Sequence, residues 1–198
     1  MDEEKFVLFL DILGFKDLIN NNTVDEVKNI YDKQVIKTIG SSLQMASSIY
    51  RFPLTLNHVV TPEHTLEDTI QEFFEIHIMS DSIIIWTKDN SNETLMKFFG
   101  FTSVFLSMTF ILGVPLRGAI SKGHVSELRT PVNNIIQSCV VGKGIVNAYS
   151  LEGKQNWMGC IVDEKCLKNI PTDEVELLIS KKYNIIIILS LKKSNIIN

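Results

Sequence analysis

Two aspartates, Asp11 and Asp81, each interrupt an apolar stretch that reads as strand: Phe6-Val7-Leu8-Phe9-Leu10-Asp11-Ile12-Leu13-Gly14-Phe15, and Ile76-His77-Ile78-Met79-Ser80-Asp81-Ser82-Ile83-Ile84-Ile85. An ionised carboxylate in such surroundings is costly unless a cation or strong donors compensate it. Either one alone also reads as a turn former or the cap of a following segment. Two together invite a shared divalent metal. Gly14 lets the backbone turn with its amides exposed, which suits phosphate oxygens beside a metal. Ser80-Asp81-Ser82, between two apolar runs, reads as the tight turn of a hairpin, and a strand end can lie beside a hairpin tip in one sheet.

The elements that must position these groups follow from periodicity and punctuation. A strand is expected near residues 5–13. A helix opens at Thr23-Val24-Asp25-Glu26, where Thr23 and Glu26 form a capping-box pattern, and continues through Val27, Ile30, Tyr31, Val35 and Ile39. Residues 51–69, with Pro53 and Pro62, read as an irregular connection. The hairpin around Asp81 follows, then a helix near 93–112, strands near 115–123 and 134–141, a helix opening at Gly142-Lys143-Gly144, and a strand near 157–162. Ile185-Ile186-Ile187-Ile188-Leu189 reads as a last buried strand. Phe98 to Leu116 holds no charged residue and approaches membrane-spanning length. Thr102, Ser103, Ser107 and Thr109 dilute it, and Gly113 and Pro115 end it, as in a buried core helix. The order of elements predicts an α+β sandwich with helices on a mixed sheet.

The 198 residues, 45% hydrophobic and 21% charged, fit one soluble globular domain, with no linker or internal repeat. A formal net charge of −4 gives no reason to expect nucleic acid as the main partner, which would call for a basic face, so a polyanionic ligand must be held locally by metal and amides. Cys139, Cys160 and Cys166 have neither zinc-site nor disulfide spacing, which fits a reducing cytoplasm. The acidic start, Met1-Asp2-Glu3-Glu4-Lys5, is not a signal-peptide pattern.

Four segments in order, Phe9 to Phe15, Ser80 to Ile83, Leu116-Arg117-Gly118-Ala119-Ile120, and Gly142 to Glu152 ending Ala148-Tyr149-Ser150-Leu151-Glu152, resemble the catalytic domain of class III nucleotide cyclases. Within that superfamily the chain looks most like the stand-alone uridylate and cytidylate cyclases of the Pycsar (pyrimidine cyclase system for antiphage resistance) systems. The match covers residues 5–162; residues 163–198 would complete the fold of one catalytic domain spanning 1–198. The resemblance implies a cyclase sandwich with a ferredoxin-like, palm-type core, acting as a homodimer with interfacial active sites. It implies two divalent cations, Mn2+ or Mg2+, held by Asp11, Asp81 and the backbone carbonyl of Ile12. Backbone amides of Leu13, Gly14, Phe15 and Lys16 would face the triphosphate. The substrate implied is UTP, with CTP as the closest variant, and the cyclic product would activate a separate effector protein in antiphage defence.

Base selection in the family involves two positions, which here are His77 and Cys139. Adenylate cyclases that resemble this chain carry Lys and Asp there, guanylate cyclases Glu and Cys, so this pair matches neither and is compatible with a pyrimidine. His77 also reads as a satisfied strand histidine, and Cys139 as core packing. The Asn and Arg that many relatives supply from the partner subunit fall on Val146 and Ser150. Asn147, one residue away, Lys143, Lys122 and Arg117 are the candidates to replace them. Two rival readings stand beside the cyclase: a catalytically silent nucleotide-sensing domain, favoured by Val146 and Ser150, and another metal-dependent nucleotidyl transferase. A diguanylate cyclase should show a Gly-Gly-acidic hairpin, where this chain has Met79-Ser80-Asp81-Ser82.

Overall fold

The computed structural model describes residues 3–50, 73–132 and 135–168. The expected connection at 51–69 and the expected strand at 185–189 lie outside them. Alternation of apolar side chains on both faces builds the central strand β1 (Lys5–Ile12), which is buried along nearly its whole length. It pairs antiparallel with β3 (Ser82–Thr87) on one side and with β4 (Leu116–Gly123) on the other. β2 (Phe74–Met79) joins β3 through the two-residue turn Ser80-Asp81, and β7 (Gly159–Val162) lies parallel to β4. The sheet is therefore mixed, in the order β2-β3-β1-β4-β7.

Period-two alternation sends the two sets of side chains into different layers. Phe6, Leu8, Leu10 and Ile12 point into the main core with Ile83, Ile85, Leu116 and Ile120, under helices α3 (Lys37–Tyr50) and α4 (Asn92–Ile111). Val7 and Phe9 point the other way, with Ile84 and Trp86, toward helix α5 (Lys143–Glu152). Asp11 shares this second face.

Helix α4 is the apolar segment of near-membrane-spanning length, and its side chains are mostly buried against the protein itself. Phe98 and Phe101 pack on Phe74 with ring centroids 5.1 Å apart. Two of its buried hydroxyls are satisfied within the helix: Thr102 donates to the Phe98 carbonyl at 2.7 Å and Thr109 to that of Phe105 at 2.9 Å. The helix ends at Gly113 in the left-handed region (φ 84°), as its sequence predicts.

Between β1 and β2, Gly14 (φ 75°) turns the chain into the short helix α1 (Phe15–Asn21). Helix α2 (Val24–Ile30) opens with the complete Thr23–Glu26 capping box. The single helix expected beyond Ile30 is instead broken by a π-helical turn (Tyr31–Ile36) before α3. Strand β6 (Ile135–Val141) is found near where expected, whereas its partner β5 (Ser126–Val132) is present but was not expected. The two form a separate ribbon with its own pairing. A short helix α6 (Glu164–Leu167), capped by Asp163, closes the described chain.

Candidate active site

Strand register alone brings the two aspartates together. Asp11, next to last in β1, lies opposite Ser82, the residue after Asp81. One step on, the Ile12 amide donates to the Asp81 carbonyl at 3.0 Å, tying the hairpin tip to the end of the central strand. Asp11 senses Asp81, which is among the causes that raise its pKa, after burial and Glu152.

On the other flank Asp11 lies opposite Arg117 of β4, with the guanidinium Nη2 3.5 Å from Asp11 Oδ2. That is too long for a firm hydrogen bond, and the stronger contacts of Arg117 lie elsewhere. Its Nε donates to Glu152 Oε1, and its Nη1 donates to the Gln155 carbonyl at 3.1 Å. Glu152, almost wholly buried at the end of α5, thereby fixes the arginine beside Asp11. Two carboxylates, Asp11 and Glu152, share one guanidinium, Asp81 adds its repulsion, and the pKa of Asp11 is raised from its ordinary value despite Arg117. A divalent cation would relieve that repulsion. The oxygen-only donors of Asp11 and Asp81 fit a hard ion such as Mg2+ or Mn2+.

The turn that carries Asp81 is itself unusual. Ser80 has φ 56°, the sole non-glycine with positive φ among the described residues. Only the first of the two turn residues has this sign, as in a type II′ hairpin, where glycine ordinarily stands. The left-handed region costs a side-chain-bearing residue about 1–2 kcal/mol. The Tyr31 hydroxyl donates to the Ser80 carbonyl. Burial, with Asp81 nearby, pushes the Tyr31 phenol up to about 12, so it stays protonated as a donor at neutral pH.

At the turn expected to face phosphate, α1 has no side-chain cap and Leu18 makes the first bond of the helix, back to the Gly14 carbonyl. The amides of Phe15 and Lys16 are thus among those a helix start leaves without an intrahelical partner. Leu13 is different: its amide already donates to the Pro115 carbonyl at 3.0 Å, so the expected phosphate contact from Leu13 conflicts with a bond between β1 and the β4 entrance.

The remaining expected positions are scattered. His77 lies on edge strand β2 opposite Ile84, half-buried on the α5 face. Cys139 is exposed on the β5–β6 ribbon opposite Leu128, which corrects its reading as core packing: strand alternation turns its neighbour Val140 toward the core in its place. Lys122 lies on the other face of the sheet. Its ammonium stands 5.1 Å from the centroid of the Phe6 ring, on the main-core face of the sheet and away from Asp11. Arg117 is committed to Glu152 and Gln155 within this chain, which conflicts with a role reaching across to a partner. On α5, Gly144, Ala148 and Glu152 form the buried stripe, so Val146 and Ser150 point outward and Lys143 is exposed; Asn147 is half-buried beside them.

Sequence reasoning missed Glu152, Gln155 and Tyr31 as parts of the site. Glu152 left a signal: a carboxylate closing a small-residue stripe at i, i+4, i+8 on a helix must find a buried cation. Tyr31 left none, since it reads as one more apolar position of an amphipathic helix.

Among solved structures, the chain is similar to the adenylyl cyclase CyaB from P. aeruginosa over 84% of its own length and 80% of that chain, with a TM-score of 0.52 and 10% identity. The guanylyl cyclase Cya2 (TM-score 0.48, 12% identity, 85% and 80% covered) and a bacterial light-regulated adenylyl cyclase (0.47, 17%, 78% and 71%) are also similar. No family model and no curated protein matches the sequence. At 10% identity, the likeness to CyaB is one of fold: this chain has the α+β sandwich of that cyclase.

Proposed function

We propose that this protein is a nucleotide cyclase that converts a pyrimidine nucleoside triphosphate, UTP in the first instance and CTP as the closest variant, to its 3′,5′-cyclic monophosphate and pyrophosphate. The observation that carries the reading is the junction of Asp11 and Asp81 across the Ile12–Asp81 hydrogen bond, with the repulsion of Glu152 and Asp81 acting on Asp11. Asp11, Asp81 and the carbonyl of Ile12 would hold two divalent ions. When bound, those ions would lower the pKa of the ribose 3′-hydroxyl and offset charge on the triphosphate.

The chain's own groups supply the rest. The amides of Gly14, Phe15 and Lys16 would hold β- and γ-phosphate oxygens at the start of α1. Arg117, anchored by Glu152, would keep Asp11 ionised and aimed while the 3′-oxygen attacks the α-phosphorus in line with departing pyrophosphate. His77 and Cys139 would contact the base. Exposed apolar groups on the α5 side, Val146 and Tyr149 with Leu128 of the ribbon, suit a second copy of the chain, making a homodimer with shared sites. Asn147 and Lys143 would then be offered from the partner's α5 to ribose and phosphate. The domain as a whole, 1–198, would act as one catalytic unit whose product signals to a separate effector in antiphage defence.

The test is incubation of the purified protein with each ribonucleoside triphosphate in turn, with Mn2+ or Mg2+, and identification of products by mass spectrometry. A cyclic pyrimidine monophosphate, lost by more than about a thousandfold in Asp11→Ala and Asp81→Ala, supports the reading; this exceeds what one hydrogen-bond donor contributes. Cyclic AMP or GMP would overturn the pyrimidine assignment. Linear dinucleotides would point to a transferase, and no product with retained nucleotide binding to a silent sensor.

A further inference from the structure

We propose that Tyr31 is a positioning residue for the metal-binding hairpin, holding the Ser80-Asp81 turn in the conformation that presents the Asp81 carboxylate to Asp11; this rests on the two-metal reading above. Tyr31 touches both loops that flank the site. Its hydroxyl donates to the Ser80 carbonyl, 49 residues away in sequence, and its ring meets that of Phe15, the residue after Gly14, edge-on at 6.3 Å between centroids. It stands at the start of the π-helical turn Tyr31–Ile36, where the chain departs from α-helical geometry between α2 and α3. Such π-helical turns are rare and are frequent at functional sites.

The need for such a brace comes from Ser80. At φ 56° it occupies the place glycine takes in a two-residue turn of this sign, so the turn is under strain. The peptide bearing the Ser80 carbonyl leads directly into Asp81. A hydrogen bond to that carbonyl fixes the peptide plane, and with it the direction in which the Asp81 side chain leaves the backbone. On its other side the Asp81 carbonyl accepts the Ile12 amide at 3.0 Å. Asp81 is thus clamped between β1 and Tyr31, and only the Tyr31 half of the clamp depends on a side chain.

The experiment is titration of the wild-type protein, Tyr31→Phe, Ser80→Gly and the double variant with Mn2+ alone, followed by the electron paramagnetic resonance signal of free Mn2+. Phenylalanine keeps the ring on Phe15 and removes only the hydroxyl, and circular dichroism melts confirm that each variant folds. Tyr31→Phe is expected to weaken Mn2+ binding about fivefold. Ser80→Gly, for which the left-handed turn is unstrained, is expected to bind like wild type and to restore binding in the double variant. A residue serving stability alone would shift the melt without this rescue. Wild-type affinity in Tyr31→Phe, or a double variant as weak as the single one, would overturn the proposal and leave the two-metal reading standing. Absence of Mn2+ binding in the wild type would overturn both.

Discussion

Asp11 is stressed in the absence of metal. Burial, Glu152 and Asp81 raise its pKa above the ordinary 3.8, and the loose contact to Arg117 offsets this only in part. A carboxyl that binds its proton more tightly folded than unfolded favours the folded state at low pH, and that contribution is lost as pH rises from the ordinary value through the raised one. Above that window, the charged Asp11 works against folding. Asp11→Asn should therefore melt at a higher temperature than wild type at pH 7 without divalent ions, and the difference should shrink as pH falls toward 4. Added Mn2+ should stabilise the wild type and leave Asp11→Asn unchanged. Thermal melts at several pH values measure both effects.

At the scale of elements, the site depends on how closely α5 lies on the sheet. A Cβ on Gly144 would meet Val7 Cγ2 at 2.7 Å and the Gly123 carbonyl oxygen at 3.1 Å, and one on Gly123 would meet the Gly144 amide nitrogen at 2.7 Å. Ser121 Oγ donates to the Gly144 carbonyl at 2.6 Å, locking the same end. Eight residues along, about 12 Å of helix, Glu152 reaches Arg117. Gly144→Ala should lift this helix off β1 and β4, costing about 1–3 kcal/mol as overpacking does, and should lower activity through the Glu152–Arg117 contact; chemical denaturation and turnover assays test the two effects. Much at this scale was legible from sequence. The hairpin, the capping box and the end of α4 at Gly113 are each written in local residue chemistry. Strand β5 was not, because its only apolar strand formers are Leu128 and Val132, and Pro131 beside Val132 argues against a strand. The π-helical turn was not, because Tyr31, Val35 and Ile39 recur at i, i+4 and i+8 as in an ordinary helix. The Arg117–Glu152 and Tyr31–Ser80 contacts span 35 and 49 residues, and no local rule pairs them.

For the whole molecule, the layer bearing the main core is covered by α3 and α4, while the α5 layer leaves Val146 62% and Tyr149 60% exposed. A second copy seated there would bury them and would set two sites against the shared interface. Val146→Asp places a charge on that surface without entering the core, and should convert a dimer to a monomer in analytical ultracentrifugation with loss of turnover; an unchanged dimer would put the interface elsewhere. The proposed site has Asp11 and Asp81 gripping the same ions rather than one each, whether or not the chain dimerises. This shared grip is tested most directly by equilibrium dialysis of Mn2+ with 3′-deoxy-UTP, which has no hydroxyl to close the ring, comparing wild type with Asp11→Asn and Asp81→Asn. Two ions per site in the wild type, with tight binding of both lost in either variant, is the predicted result. Retention of one tight ion in each variant would contradict it.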